Sequence, residues 1–123
     1  MEDQTLGGIV GRLWEIYGET NVQINNVLNI GKIQNATYNG EILGRHVKST
    51  STIIENCFYS SNNTNKGIGL GTVTGATTAT EINESLITTL NEYVTNYNNA
   101  NKENSDYIEL KAWELNDTQV KFK

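Results

Sequence analysis

Apolar residues recur along the first 75 positions in short bursts separated by glycine and polar residues, and one burst is written twice. Residues 23–29 (Gln-Ile-Asn-Asn-Val-Leu-Asn) and 53–59 (Ile-Ile-Glu-Asn-Cys-Phe-Tyr) align on their asparagines, with Ile24 over Ile54, Asn26 over Asn56, Val27 over Cys57 and Leu28 over Phe58. Each copy follows a glycine-bracketed apolar stretch, Gly8-Ile9-Val10-Gly11 and Glu41-Ile42-Leu43-Gly44. The offset is 30 residues between the asparagines and 33 between the trailing glycines, in the range of stacked repeats.

The glycines at 7, 8 and 11 disfavour a helix and predict a strand over residues 5–13, followed by a turn at 18–21. A second strand is predicted over 22–29 with Asn26 at an interior position, a third over 32–34, and a turn at Tyr38-Asn39-Gly40. The cycle then restarts with strands over 42–47 and 52–59, a turn at 48–51 and a polar loop at 60–66. Residues 67–73 read as the short third strand or as the start of a further turn of the stack. Laid over one another, the copies would place Ile24 on Ile54 and Leu28 on Phe58 in apolar columns. Asn26 on Asn56 would form an amide ladder, the arrangement that makes a buried asparagine tolerable.

Beyond Gly75 the period changes from strand to helix. Thr78-Ala79-Thr80-Glu81 has the form of a capping box, and Ile82, Leu86, Leu90, Tyr93 and Tyr97 fall on one helical stripe that Ile87 and Val94 widen. Glu81, Glu84 and Glu92 belong to its N-terminus and solvated face. A strand over 107–115 with a phase change near Lys111, a turn at Asn116-Asp117 and a last strand over 120–122 complete the chain, with Trp113 as an anchor under the helix. The expected fold is mainly β: a short right-handed parallel β-solenoid of two to three coils over residues 1–77, closed by a capping α-helix and small β element over 78–123.

Composition narrows the function more than it defines it. A net charge of -5 with no run of Lys or Arg argues against nucleic-acid binding and against an anionic membrane surface. No segment approaches a membrane span, and the N-terminus lacks the pattern of a signal peptide. The single cysteine forms no internal disulfide. Asn35, Asn62, Asn83 and Asn116 head N-x-[ST] sequons, a frequency that asparagine richness alone produces.

The chemistry-bearing residues are scattered. His46 is the only histidine and has no cysteine or carboxylate cluster at ligand spacing, so neither a metal site nor a cofactor is expected. A Cys57–His46 nucleophile pair is conceivable, yet Cys57 takes the position that Val27 fills in the first copy, which suits a small buried hydrophobe. Of the carboxylates that glycoside hydrolysis would need, Glu15, Glu19, Glu41 and Glu55, only Glu41 lies in a repeated motif. Trp14, Tyr17 and Tyr59 are the candidates for an aromatic sugar-binding surface, against the alternative of core packing.

The motifs resemble those of the GLUG-repeat proteins, whose unit runs as a GGIVG-like strand, a turn, an I-x-N-C-[YF] strand and a small-residue turn. The residues that carry the resemblance are Gly7-Gly8-Ile9-Val10-Gly11, the looser Glu41-Ile42-Leu43-Gly44, Ile24-Asn25-Asn26-Val27 and the close Ile54-Glu55-Asn56-Cys57-Phe58-Tyr59. Leu90-Asn91 and Trp113-Glu114-Leu115-Asn116 are similar to a segment that follows such repeats in bacterial surface proteins, although a Y-P-x-[LF] finish is replaced by Gln119-Val120-Lys121-Phe122. The resemblance implies a non-enzymatic structural or adhesive module of a larger extracellular or cell-surface protein. Its expected partners are a host or cell-wall glycan or protein, or a second copy stacked on the open end, and no nucleic acid. A carbohydrate-binding module, and behind it a polysaccharide-active enzyme fragment, are the alternatives.

Overall fold

The computed structural model describes residues 4–14, 21–31, 33, 36–47, 51–60, 66–71, 73–117 and 119–123, with the backbone alone at Trp14, Asn21 and Ser51. The elements are β1 (Thr5–Gly7), β2 (Val10–Trp14), β3 (Asn21–Asn25), β4 (Leu28–Asn29), β5 (Tyr38–Val47), β6 (Ser51–Glu55), β7 (Cys57–Ser60), β8 (Lys66–Leu70), β9 (Ala76–Ala79), α1 (Glu84–Asn101), β10 (Trp113–Asn116) and β11 (Gln119–Phe122). They fall into two compact units, Met1–Thr80 and Glu81–Lys123.

The β-solenoid is not what the chain forms. Its strands make small separate sheets that mix parallel and antiparallel pairing: β1-β5-β2 with β8 also on β5, β3-β6, β4-β7-β9, and the antiparallel β10-β11. One reason is local. Asn26 and Asn56 adopt positive φ, 56° and 54°, so each breaks the run that alternation alone would make one strand. Residues 22–29 therefore divide into β3 and β4, and residues 52–59 into β6 and β7. Asn26 stands at a corner and not inside a strand.

Within the first unit the written echo becomes register. Ile24 pairs with Ile54 and Leu28 with Phe58, and the backbone carries the pairing through the corner by Asn26 N–H to the Glu55 carbonyl (3.0 Å) and Phe58 N–H to the Val27 carbonyl (2.9 Å). Ile24, Ile54, Cys57 and Tyr59 join the fully buried Ile42 and Leu43 in the core, whereas Leu28 and Phe58 stay half-buried. Withdrawing this apolar area from water stabilises the unit by about 25 cal/mol per Å².

Tyr38-Asn39-Gly40 is strand and not turn, because Tyr38 to Gly40 pair with Thr5 to Gly7. The glycines mark a bend instead. A Cβ on Gly7 would run into the Val10 carbonyl, and one on Gly40 into the Leu43 carbonyl, the same position in both copies. The predicted 5–13 strand is accordingly interrupted between β1 and β2. The turns placed at 18–21 and 48–51, the loop at 60–66 and the strand at 32–34 fall largely or wholly outside the described residues.

In the second unit α1 begins five residues later than a capping box headed by Thr78 predicts. Thr78 and Ala79 are taken up in β9 by pairing with Tyr59 and Ser60. Asn83 is the N-cap, its Oδ1 accepting from Leu86 N–H at 3.1 Å, which satisfies one of the helix's free donors. Leu86, Ile87, Leu90 and Val94 are its buried positions, Tyr93 stacks on Tyr97 at 6.4 Å, and Ile82 lies before the helix. Residues 107–112 are extended without belonging to a sheet, so the predicted 107–115 strand shrinks to β10. Where Asn116 of β10 pairs with Gln119 of β11, Asp117 leaves the strand at φ 57°, as a tight hairpin requires.

Candidate functional site

The asparagines of the echo do bond to one another: Asn56 Nδ2 donates to Asn26 Oδ1 at 2.7 Å, across 30 residues. A left-handed backbone suits asparagine better than any other residue with a Cβ except aspartate. One residue type therefore serves the corner and the bond together. Cys57, directly after the corner, is fully buried, and its Sγ donates to the carbonyls of Ile24 (3.1 Å) and Glu55 (3.2 Å). Burial pushes its thiol above the ordinary value of 9.0, against the pull of the surrounding backbone groups. It is a neutral core thiol and not an activated nucleophile. His46 Nε2 meets Thr52 Oγ1 at 3.2 Å, so the histidine and the cysteine are each engaged elsewhere.

Glu41 is fully buried, a placement sequence reasoning missed. Asn29 Nδ2 donates both to its Oε2 (3.0 Å) and to its backbone carbonyl (2.7 Å). Gly8 leaves the space: a Cβ there would collide with the Glu41 carbonyl and the Asn29 amide. The carboxylate is thus enclosed by backbone and amide.

Of the aromatic candidates, Tyr59 is 9% exposed and its ring lies against Gly67, which withdraws it from any sugar-stacking surface. Trp14 contributes its backbone to β2 opposite Val47. Its side chain, and the whole of Tyr17, lie outside the described residues. The Trp113 ring packs on Phe122 at 4.8 Å between centroids. α1 grips its backbone. Asn91 Nδ2 donates to the Trp113 carbonyl (3.0 Å) and Asn91 Oδ1 accepts from Trp113 N–H (2.7 Å). Asn98 does the same to Leu110, at 2.9 Å both ways.

The second arrangement that sequence reasoning missed is a basic one. Arg12 and Arg45 are register partners on β2 and β5, and the Arg45 guanidinium lies 5.2 Å from the Tyr38 ring centroid. Aligning Gly11 with Gly44 at the 33-residue offset would have placed one arginine over the other. Among the described residues no three His, Cys, Asp or Glu gather as a metal site would need, and no helix is long and apolar enough to cross a membrane. Comparison with protein-family models, curated proteins and solved structures finds no match.

Proposed function

We propose that this chain is a non-enzymatic structural or adhesive module of a larger extracellular surface protein, of the kind the GLUG-like motifs imply. The observation that carries the reading is the Asn56–Asn26 bond. The most distinctive polar residues are engaged in holding one copy of the motif against the other, and Cys57 and Asn29 are engaged in the same way. A site for chemistry needs groups held ready for substrate, and these groups already have partners inside the fold.

The test is a screen of the purified chain for turnover of host and cell-wall polysaccharides, with Asn56→Ala compared in urea unfolding. No turnover and a clear loss of stability in Asn56→Ala are expected. Hydrolysis of any glycan that is abolished by Glu41→Gln would replace this reading with that of a polysaccharide-active enzyme.

One observation favours a second reading, a carbohydrate-binding module: the arginine held over an aromatic ring at Arg45–Tyr38. Binding on a glycan array that is lost in Trp14→Ala or Tyr17→Ala would support it through the aromatic candidates. Binding to no glycan would leave the structural reading alone.

A further inference from the structure

Residues Tyr38-Asn39-Gly40 contain the one Asn-Gly pair in the chain. Asparagine before glycine is the pair most prone to cyclise, since glycine has no Cβ to hinder attack of its backbone nitrogen on the preceding carboxamide. The turn that the sequence predicts here would leave the pair free to react. The strand that forms in its place does not.

Both reacting groups are held apart. Asn39 is the register partner of Leu6, and Gly40 pairs with Gly7 of β1 on one side and with Lys66 of β8 on the other. The Gly40 carbonyl accepts from Gly8 N–H at 3.1 Å. In an extended residue the N–H points to the same side as the carbonyl, so the Gly40 nitrogen is turned into the β1 ladder. The Asn39 carboxamide is tied elsewhere, its Nδ2 donating to the Ala36 carbonyl at 2.9 Å. Cyclisation needs rotation about ψ of Asn39, which two paired neighbours forbid.

The same surroundings reject the product. Asn39 Oδ1 is closed off from solvent without a hydrogen-bond partner among the described residues. A carboxylate there would put charge where no donor meets it, and would set an oxygen against the Ala36 carbonyl where Nδ2 now donates. An isoaspartyl residue lengthens the main chain by one methylene. β5 could then no longer keep Tyr38 on Thr5 and Leu43 on Val10 together.

We propose that Asn39-Gly40 is a modification site that the fold holds closed, and that it makes prolonged opening of the first unit a one-way event. When β5 leaves β1 and β8, the Gly40 nitrogen gives up its proton and bonds to Asn39 Cγ. The Cγ–Nδ2 bond breaks, and Nδ2 departs with that proton as ammonia. Water then opens the succinimide at either carbonyl, leaving an aspartyl or an isoaspartyl chain. Solvent water is the only co-reactant.

Incubation of the full chain at mildly alkaline pH, in buffer and in urea, tests the proposal by peptide mass spectrometry with isoaspartyl detection. Reaction at Asn39 should be at least tenfold slower in buffer. Asn104-Ser105, exposed and outside any sheet, is the internal reference, and its rate should change far less. Gly44→Ala loosens the first unit and should speed the reaction at Asn39 in buffer while leaving Asn104 alone. Chains that have reacted, and Asn39→Asp prepared directly, should unfold at lower urea concentration than the intact chain.

Equal rates at Asn39 in buffer and in urea would overturn the proposal, as would the same acceleration at Asn39 and Asn104. Reacted chains that regain the unfolding midpoint of the intact protein would show that the event is reversible in structure, and would overturn it as well.

Discussion

The two units use the same side chain for the same purpose in different geometries. In the first unit Asn56 bonds to Asn26, its counterpart in a parallel copy of the motif, and the match depends on register. In the second unit Asn91 and Asn98 bond to the backbone of an extended segment, and the match depends on pitch. Seven helical residues rise about 10.5 Å. From Trp113 back to Leu110 is three residues of extended chain, about 10 Å. Each carboxamide presents one donor and one acceptor, so it pairs with a peptide unit as a neighbouring strand would. An asparagine-rich chain can therefore be highly ordered, provided that each amide meets a partner with the right spacing.

The comparison can be broken most severely at the backbone of the first unit. A Cβ on Gly44 would lie 2.5 Å from the Gly11 carbonyl and 2.6 Å from the Leu6 carbonyl, both main-chain atoms. Gly44→Ala is expected to destabilise the first unit by about 3 kcal/mol or more, read by equilibrium urea unfolding. A loss under about 1 kcal/mol would mean that the strands separate freely at the bend.

Asn56→Ala comes next, because it removes a hydrogen bond and leaves a Cβ residue at positive φ. The sum is about 2–3 kcal/mol. Asn56→Gly keeps the backbone conformation and loses only the bond, so about 1 kcal/mol is expected. Equal effects of the two substitutions would show that the amide pair, and not the left-handed corner, accounts for the loss.

In the second unit Asn98→Ala removes two hydrogen bonds to Leu110, about 2 kcal/mol. Hydrogen exchange should then speed up at the Leu110 amide and leave the first unit's amides unchanged. Faster exchange throughout α1 would instead make the asparagine part of the helix's own stability.

Cys57 should give the smallest effect. Its thiol is raised by burial, so the fold favours the neutral form. That stabilisation is fully present below the unfolded value near 9 and is lost as pH rises through the folded one. Unfolding experiments between pH 8 and 11 should show an alkaline decline that is shallower in Cys57→Val. An identical decline in the variant would assign it to other groups.

Much of the first unit's pairing was legible because the copies share residue types at a fixed offset. Ile24 on Ile54, Leu28 on Phe58 and Asn26 on Asn56 follow from alignment alone. The division of each run at its asparagine was not legible, since alternation reports which side a residue faces and not the sign of φ. The helix stripe was legible through Leu86, Leu90 and Val94, but its start was not, because Thr78 and Ala79 were claimed by a strand partner distant in sequence. The burial of Tyr59 was equally hidden, since an aromatic residue in a strand suits a core and a surface alike.

The sequence by itself determined where this chain repeats, which residues of the copies correspond, and that a helix follows them, because those properties depend only on spacing along the chain. Tertiary structure alone decided that the sheets remain small and of mixed sense, that Glu41 is enclosed, that Asn91 and Asn98 read a backbone, and that Arg45 rests on Tyr38. Each of these depends on which segments meet in space. A carboxamide, a carboxylate or a guanidinium has the same composition whether it faces water, a peptide group or another charge.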